Sequence, residues 1–187
     1  VASRGEYLNA MILAKYLDFA FVDAENGVFF HEDGTFDDTR TYAALAELLE
    51  GMGGEPCVVF CRFTSDIDAV REACADLKLS FAELSGKRND LAAFQSGVGD
   101  VIAVQIQSGG VGVDLTRARY CVYYSLGYSL GDFEQSLARV HRPGQKQAVS
   151  YYHLIAQQTV DERVYQAMRD KRDVVQTFMN LPKEEFV

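Results

Sequence analysis

Residues 132–145 carry the side chains best suited to chemistry. Gln135 and Arg139 are four positions apart, so on a helix they share one face. Pro143 ends such a helix and favours an extended conformation at Arg142, which therefore leaves the helix at its own angle. Two guanidinium groups near a glutamine suit bidentate contact with phosphate oxygens. The alternative is an exposed helix end whose arginines favour the C-terminal end of the helix dipole.

A glycine-rich turn lies upstream of this helix. Residues 101–106 form an apolar run that is typical of a buried parallel strand, and Ser-Gly-Gly-Val-Gly-Val-Asp follows directly at residues 108–114. Glycines let the backbone approach a ligand closely. The spacing matches neither the Walker loop nor the dinucleotide-binding Gly-x-Gly-x-x-Gly pattern. Taken alone, the turn also fits an ordinary connection between a strand and a helix.

Strands and helices alternate along most of the chain. Strands are predicted at residues 56–61, 81–84, 101–106, 120–125 and 149–155. Helices are predicted at residues 41–52, 64–77 (with an N-cap at residues 64–66), 87–95 and 132–141. This alternation predicts an α/β fold with a mainly parallel sheet and helices on both faces. The turns after Cys61, Leu84 and Ile106 then meet at the carboxyl edge of the sheet, where such folds bind ligands.

The N-terminal residues 1–39 are harder to interpret. Residues 7–17 have helical spacing, and residues 28–30 with the turn residues 32–34 resemble one arm of a hairpin. The chain begins with valine, which is consistent with a fragment of a longer protein.

The charge balance argues against a free-standing nucleic-acid binder, since the net charge is −9 and such proteins are usually basic. A local basic groove is still possible. Five cationic residues are expected to concentrate positive charge near the proposed site: Arg117, Arg119, Arg139, Arg142 and Lys146.

The apolar content of 48% predicts a globular protein. The sequence contains no run of eighteen apolar residues, so it predicts no membrane span. The four cysteines have no Cys-x-x-Cys spacing, and the three histidines are scattered. We therefore expect reduced cysteines in the core, no metal site, and a cytosolic or nuclear location.

Several stretches together resemble motifs of Swi/Snf-type superfamily-two helicase-like ATPases. The turn at residues 108–115 resembles motif V, and Gln-x-x-x-Arg-x-His-Arg-Pro-Gly-Gln at residues 135–145 resembles motif VI, whose spacing is specific. Residues 58–63 resemble motif IV. The segments at residues 84–94, 149–155 and 159–162 also match the family pattern, so the resemblance covers roughly residues 43–171.

The sequence departs from the family at two places. Gly-Tyr-Ser-Leu stands at residues 127–130, where the family usually has Asp-Trp-Asn-Pro, and Asp114 stands where many members have asparagine. The pattern looks closer to compact bacterial or phage-type members. The capping-box pattern Thr159-x-x-Glu162 begins a terminal helix that is either a packing helix or a brace between lobes.

The resemblance implies a RecA-like three-layer sandwich that is the second of two lobes. Residues 1–39 would be an N-terminal extension or inter-lobe connection, and residues 40–187 the lobe, with a bracing helix from about residue 159. ATP would bind between the lobes, and the missing first lobe would hold Mg²⁺. Arg139 and Arg142 would be the catalytic arginine fingers, with Gln135 positioning them and Gly112 and Asp114 approaching the nucleotide.

The resemblance also implies a nucleic-acid track along motifs IV and V. Its candidate residues are Arg62, Phe63, Thr64, Arg88, Ser108 and Gly109, with backbone N–H and hydroxyl groups binding phosphates. For Arg88 the alternative is a solvated helix residue, and for Phe63 it is a core aromatic. The implied function is a DNA translocase, with double-stranded DNA as its partner. The alternatives are a lobe of a strand-separating or RNA helicase, or a non-catalytic interaction module on the same fold.

Overall fold

A six-stranded sheet forms the centre of the computed structural model, which describes residues 10–11, 29–30, 36–107, 113–125, 129–142, 145, 147–155, 165–168 and 170. The strands are β1 (Ala10–Met11), β2 (Phe29–Phe30), β3 (Phe36–Asp37), β4 (Cys57–Cys61), β5 (Phe81–Leu84), β6 (Val101–Gln105), β7 (Tyr120–Tyr123) and β8 (Ser150–Leu154). The helices are α1 (Asp38–Gly51), α2 (Thr64–Asp76), α3 (Leu91–Gln95) and α4 (Leu130–Val140).

The strand order of the main sheet is β1-β8-β7-β4-β6-β5. The five strands from β8 to β5 are mutually parallel, and only β1 runs antiparallel, against β8. All five residues of β4 are buried, as expected for a central strand that is covered on both faces. Cys57 is level with both Val101 and Tyr120, so the central strands start and end at the same height.

Two hydrophobic clusters lie on the two faces of this sheet. Phe60 belongs to the cluster that includes Val140 of α4, whereas its neighbour Val59 belongs to the cluster that includes Leu49 of α1 and Val70 of α2. Successive residues of a strand point to opposite faces, which is why one strand supplies both clusters. The predicted three-layer α/β arrangement with a mainly parallel sheet is therefore confirmed.

The helical interpretation of residues 7–17 is wrong at the two residues that the structure describes there. Ala10 and Met11 form β1, which pairs with Leu154 and His153 of β8. The open edge of β8 offers backbone hydrogen-bonding groups, and pairing with them outweighs the local helical pattern. The hairpin prediction is confirmed, since β2 pairs antiparallel with β3; its turn lies outside the described residues.

The predicted helix at residues 87–95 is also too long, because α3 begins only at Leu91. The residues before it cover the free edge of β5 instead. The Ser85 N–H donates to the Arg88 carbonyl at 2.8 Å, and the Asp90 carboxylate accepts from the Glu83 N–H at 3.0 Å. Side chain and backbone thus satisfy groups that an edge strand would leave unpaired.

The predicted terminal helix is described only in part. Residues 165–168 are helical, and Ala167 and Met168 are buried in the same cluster as Phe60. The rest of that helix lies outside the described residues. None of the helices in the described ranges has both the length and the apolar character that a membrane crossing requires.

His153 of β8 is buried among aromatic rings. Its ring stacks on Tyr123 at a centroid distance of 4.5 Å and meets the edge of Tyr165 at 4.8 Å. Its Nδ1 atom is buried and has no hydrogen-bond partner among the described residues. Burial lowers the pKa of His153 from 6.5 to about 3, because the charged imidazolium would lose its hydration there.

This burial predicts a pH-dependent stability. The folded-state pKa of His153 lies below the unfolded value, so its contribution is complete above pH 6.5 and is lost as the pH falls. The free energy of unfolding should fall by about 2 kcal/mol between pH 6.5 and pH 5, at ~1.4 kcal/mol per pH unit. His153→Phe keeps a ring in the stack and should remove this part of the slope. Urea unfolding at several pH values measures the slope of the free energy of unfolding against pH.

His141→Phe is the matched control, because it makes the same substitution at an exposed position at the end of α4, outside the aromatic stack. Equal slopes for the wild type and His153→Phe would contradict the prediction.

Candidate functional site

The connections after β4, β5, β6 and β7 meet at the carboxyl edge of the sheet, as the parallel topology predicts. Pairing continues slightly beyond the strands. The Ile106 N–H donates to the Cys61 carbonyl at 3.0 Å, and the Tyr124 N–H donates to the Phe60 carbonyl at 3.0 Å. The loops that carry the candidate residues therefore start from fixed backbone positions.

Helix α4 follows β7 and carries the predicted arginine pair at its C-terminal end. It begins at Leu130, two residues earlier than predicted, because the Ser129 hydroxyl caps it by accepting from the Asp132 N–H at 3.2 Å. Gln135 and Arg139 share a face as predicted, and Arg139 Nη2 donates to Gln135 Oε1 at 2.6 Å.

Arg139 is a buried cation, with 4% of its surface exposed. Burial lowers the pKa of Arg139, while the nearby Asp132 carboxylate opposes this shift and the Arg142 charge adds to it. An arginine stays protonated in such an environment. The site thus holds a permanent positive charge whose orientation depends on Gln135.

Arg142 leaves the helix axis and folds back along the last turn of α4. Its Nε donates to the Ala138 carbonyl at 3.1 Å, which satisfies one of the carbonyls that a helix end leaves unpaired. Within the described ranges, no hydrogen bond engages its Nη1 and Nη2 atoms. Arg142 therefore stabilises the end of the helix, as the alternative interpretation requires. Its Nη1 and Nη2 atoms can still bind a ligand.

Asp114 joins the same group of residues. Its Oδ1 accepts from the Thr116 N–H at 2.9 Å and from the Thr116 hydroxyl at 2.7 Å. These two hydrogen bonds lower the pKa of Asp114, and the charge of Arg142 lowers it further. The structure therefore places Asp114 within electrostatic reach of Arg142. Gly112, the other nucleotide candidate in this turn, lies outside the described residues.

The loop after β4 is held by a buried carboxylate. Asp66 Oδ2 accepts from the Phe63 N–H at 3.0 Å and from the Ser125 hydroxyl at 2.6 Å, and the Ser125 oxygen accepts from the Arg62 N–H at 2.6 Å. Burial raises the pKa of Asp66, and these hydrogen bonds oppose the rise. The backbone N–H groups of Arg62 and Phe63 are therefore already bound inside the protein.

Two expectations for this loop are corrected. The N–H groups of Arg62 and Phe63 already have acceptors within the protein, so phosphate contact at these two residues would fall to their side chains. The N-cap is not formed by residues 64–66: α2 begins at Thr64, and Asp66 reaches back from the first turn to the N-cap residue Phe63. The Arg62 guanidinium lies over the Phe63 ring at 5.1 Å, and Phe63 is half-buried and part of neither core cluster.

The other nucleic-acid candidates are spread along the edge. Thr64 is exposed at the start of α2. Arg88 is also exposed, but it lies in the turn after β5 rather than on a helix, and its Nε pairs with Asp90 Oδ2 at 2.5 Å. Ser108 and Gly109 lie outside the described residues.

Two of the five cations expected near the site have partners within the protein. Arg117 donates to the Phe94 carbonyl at 2.8 Å and to the Gly99 carbonyl, and its guanidinium lies over the Phe94 ring at 5.0 Å. Arg119 lies at the opposite end of the strands, where its N–H donates to the Pro56 carbonyl. The Arg117 guanidinium is thus bound within the protein, and Arg119 Nη1 lies 3.8 Å from Glu55 Oε2, whereas the charges of Arg139 and Arg142 interact with each other. Lys146 lies outside the described residues.

The donor set of the site favours an anionic ligand. Guanidinium and amide groups bind phosphate oxygens, whereas Mg²⁺ requires oxygen ligands. In the part of the chain that the structure describes, no three His, Cys, Asp or Glu side chains are grouped to hold a metal ion. All four cysteines are free and buried, as predicted.

Two glutamines and one serine support the site through contacts that were not predicted from the sequence. Gln145 Nε2 donates to the Thr116 carbonyl at 2.8 Å, and Gln95 Nε2 donates to the Asp114 carbonyl at 2.9 Å. Ser125 ties the β4 loop to the end of β7. Gln145 ends the motif VI pattern, which was a usable signal, but nothing in the sequence marks Gln95 or Ser125.

Known protein families and individual proteins resemble this chain in sequence and in structure. Residues 40–144 match the model of the helicase conserved C-terminal domain. The chromatin-remodeling ATPase INO80 of Cryptococcus neoformans is 27% identical over 146 residues, which cover 73% of this chain and 8% of that protein. An uncharacterized ATP-dependent helicase, MG018, of Mycoplasma genitalium is 26% identical over 147 residues, which cover 74% of this chain and 14% of that protein.

A crystal structure of the C-terminal part of the Fun30 ATPase domain has a TM-score of 0.60 at 21% identity, covering 77% of this chain and 46% of that structure. This likeness and the strand order confirm the predicted RecA-like α/β fold. The chain spans less than a fifth of the length of the two curated relatives. Since the fungal and mycoplasmal proteins are about equally similar, the matches do not support the expectation of a bacterial or phage-type pattern.

The buried Ser125 hydroxyl predicts a clear effect on stability. Ser125→Ala removes one acceptor of the Arg62 N–H and removes a donor from the partly buried Asp66 carboxylate. We expect a loss of ~1–3 kcal/mol in the free energy of unfolding. The shift in the urea midpoint at constant slope measures this loss. Ser65→Ala removes the same hydroxyl at an exposed position in the first turn of α2 and should change stability by less than ~0.5 kcal/mol. Equal effects of the two substitutions would refute the role of Ser125.

Proposed function

Because the chain belongs to the family of the helicase conserved C-terminal domain, we propose that it is the second RecA-like lobe of a Swi/Snf-type, DNA-dependent ATPase motor. The observation that carries this proposal is the grouping of Arg139, Arg142 and Asp114 where residues 113–118 meet the end of α4. The motif VI spacing and the similarity to a chromatin-remodeling ATPase support the Swi/Snf assignment.

ATP binds in the cleft between the two lobes of such a motor. The first lobe supplies the Walker lysine, the catalytic glutamate and the acidic residue that holds Mg²⁺. This lobe supplies Arg142, whose two terminal nitrogens are available for the γ-phosphate, and Arg139, which Gln135 orients. Cationic groups placed in advance stabilise the charge that develops during phosphoryl transfer. Gly112 and Asp114 approach the nucleotide at the ribose.

The nucleic-acid track follows the edge from the β4 loop to the turn after β6. Because the N–H groups of Arg62 and Phe63 are already bound, these two residues contact the nucleic acid through their side chains, and Thr64 lies beside them. Arg88, Ser108 and Gly109 extend the track. Side-chain contacts to phosphates fix the position of DNA without reading its sequence. Opening and closing of the cleft then moves the lobes along the duplex.

Within this proposal, residues 40–187 form the lobe, with a bracing helix from about residue 159. Residues 1–39 are an extension or inter-lobe connection. The burial of Ala167 and Met168 supports attachment of the terminal helix to the lobe, and the pairing of β1 with β8 attaches part of the N-terminal region to the same sheet.

ATP hydrolysis by the protein that carries both lobes tests the proposal directly. Duplex DNA should stimulate the rate strongly, and Arg142→Ala should reduce the stimulated rate by ~10³-fold or more, since arginine fingers contribute ~10³–10⁵. Arg119→Ala is the matched control, because the Arg119 guanidinium pairs with Glu55 rather than with the residues around the arginine pair. An Arg142→Ala protein with wild-type activity would refute the finger assignment.

Replacing the duplex DNA by RNA in the same assay separates the two motor classes. Stimulation by RNA alone would favour the RNA-helicase alternative. A wild-type protein that hydrolyses no ATP under any condition would favour the interaction module.

The isolated chain of residues 1–187 should bind ATP weakly and hydrolyse it at no measurable rate. The described residues include no Walker loop, and the arginine pair alone cannot position the attacking water. Release of phosphate from ATP by the purified chain measures this. Hydrolysis by the isolated wild-type chain that is lost in Arg142→Ala would show that one lobe suffices, and would contradict the expectation.

A further inference from the structure

We infer that Gln95, at the end of α3, is a positioning residue for the arginine pair of α4. The inference rests on the proposed function and extends it to a residue outside the recognised motifs. Gln95 acts through residues 113–118, which we call the connecting segment and which lie between α3 and the end of α4. Its contact with this segment is a single hydrogen bond, from Gln95 Nε2 to the Asp114 carbonyl at 2.9 Å.

The connecting segment is bound on its other side to the backbone of the arginine pair. The Leu115 N–H donates to the Arg139 carbonyl at 3.1 Å. Gln145 donates from Nε2 to the Thr116 carbonyl at 2.8 Å and from its N–H to the Arg142 carbonyl at 3.0 Å. A displacement of the segment is therefore transmitted to both arginines.

Asp114 is the residue at which the two sides meet. Its carbonyl is held by Gln95, its carboxylate is held by Thr116, and the charge of that carboxylate interacts with Arg142. With its backbone and side chain both fixed, Asp114 presents its charge to Arg142 at a defined position. Loss of the Gln95 hydrogen bond frees the backbone of Asp114 on the side facing α3.

Folding of the segment does not depend on Gln95. Arg117 independently joins the segment to α3 through the Phe94 carbonyl and stacks on the Phe94 ring. The Gln95 bond itself is exposed to solvent, where a hydrogen bond contributes little net stability. Substitution of Gln95 should therefore affect the placement of charge more than the stability of the lobe.

The test compares variants of the protein that carries both lobes. Gln95→Met has a similar length and no donor, whereas Gln95→Lys retains a donor. Gln166→Met is the matched control, because Gln166 is also exposed and its Nε2 also donates to one residue, Asp170. DNA-stimulated kcat, KM for ATP and thermal unfolding are measured for each.

We expect Gln95→Met to lower kcat by about three- to tenfold, since a misplacement on the order of 1 Å costs up to ~10²-fold. KM for ATP and the Tm should match those of Gln166→Met, and Gln95→Lys should recover most of the rate. Combined with Arg142→Lys, Gln95→Met should cause little further loss, because both act on the same cation.

Failure of this inference can be told apart from failure of the proposed function. If Arg142→Ala abolishes activity while Gln95→Met equals Gln166→Met, only the role of Gln95 is refuted. The role of Gln95 is also refuted if the loss of kcat accompanies a fall in Tm. It is refuted as well if the loss of kcat adds fully to the loss from Arg142→Lys. If Arg142→Ala retains wild-type activity, the proposed function fails, and this inference fails with it.

Discussion

The candidate site depends on the register of the three central strands, β4, β6 and β7, which start at the same height. Cys57 of β4 stands opposite the first residues of both β6 and β7, so the three strands start together and end within one residue of each other. Loops that are far apart in the sequence therefore leave the sheet side by side. The Asp66–Ser125 hydrogen bond is possible only because the end of β4 is next to the end of β7. A shift of one residue in either pairing would also exchange the faces of the strand, and both hydrophobic clusters would be disrupted.

The site places a buried cation next to a second cation in a chain whose net charge is −9. Such a pair is stable only if polar neighbours replace the lost hydration. Gln135 binds one guanidinium, the Ala138 carbonyl binds the other, and two carboxylates lie within electrostatic reach. Because these partners are already in place, an incoming polyanion meets charges that are oriented in advance. The overall acidity of the chain is then compatible with a local preference for phosphate.

The fold and the arginine pair could be predicted from the sequence, whereas the supporting contacts could not. Long apolar runs such as Val101–Gln105 and the spacing of Gln135 and Arg139 are local signals, and the structure confirms both. The strand at Ala10–Met11 was misjudged because its conformation is set by a partner strand remote in the sequence. The roles of Arg117 and Arg119 were misjudged for a related reason. A formal charge identifies a cation, but the carbonyls that surround it decide whether it faces a ligand or packs against the protein.

The pairing of β1 with β8 has a consequence for biosynthesis. Ala10 and Leu154 are partners, so about 140 residues are translated between the two halves of this pair. At about 5–20 residues per second, β1 waits for roughly ten seconds or longer before its partner leaves the ribosome. The other five strands can assemble as β8 emerges, and β1 then closes an edge that already exists. The N-terminal strand is therefore the last part of the sheet to be fixed in place, although it is the first to be made.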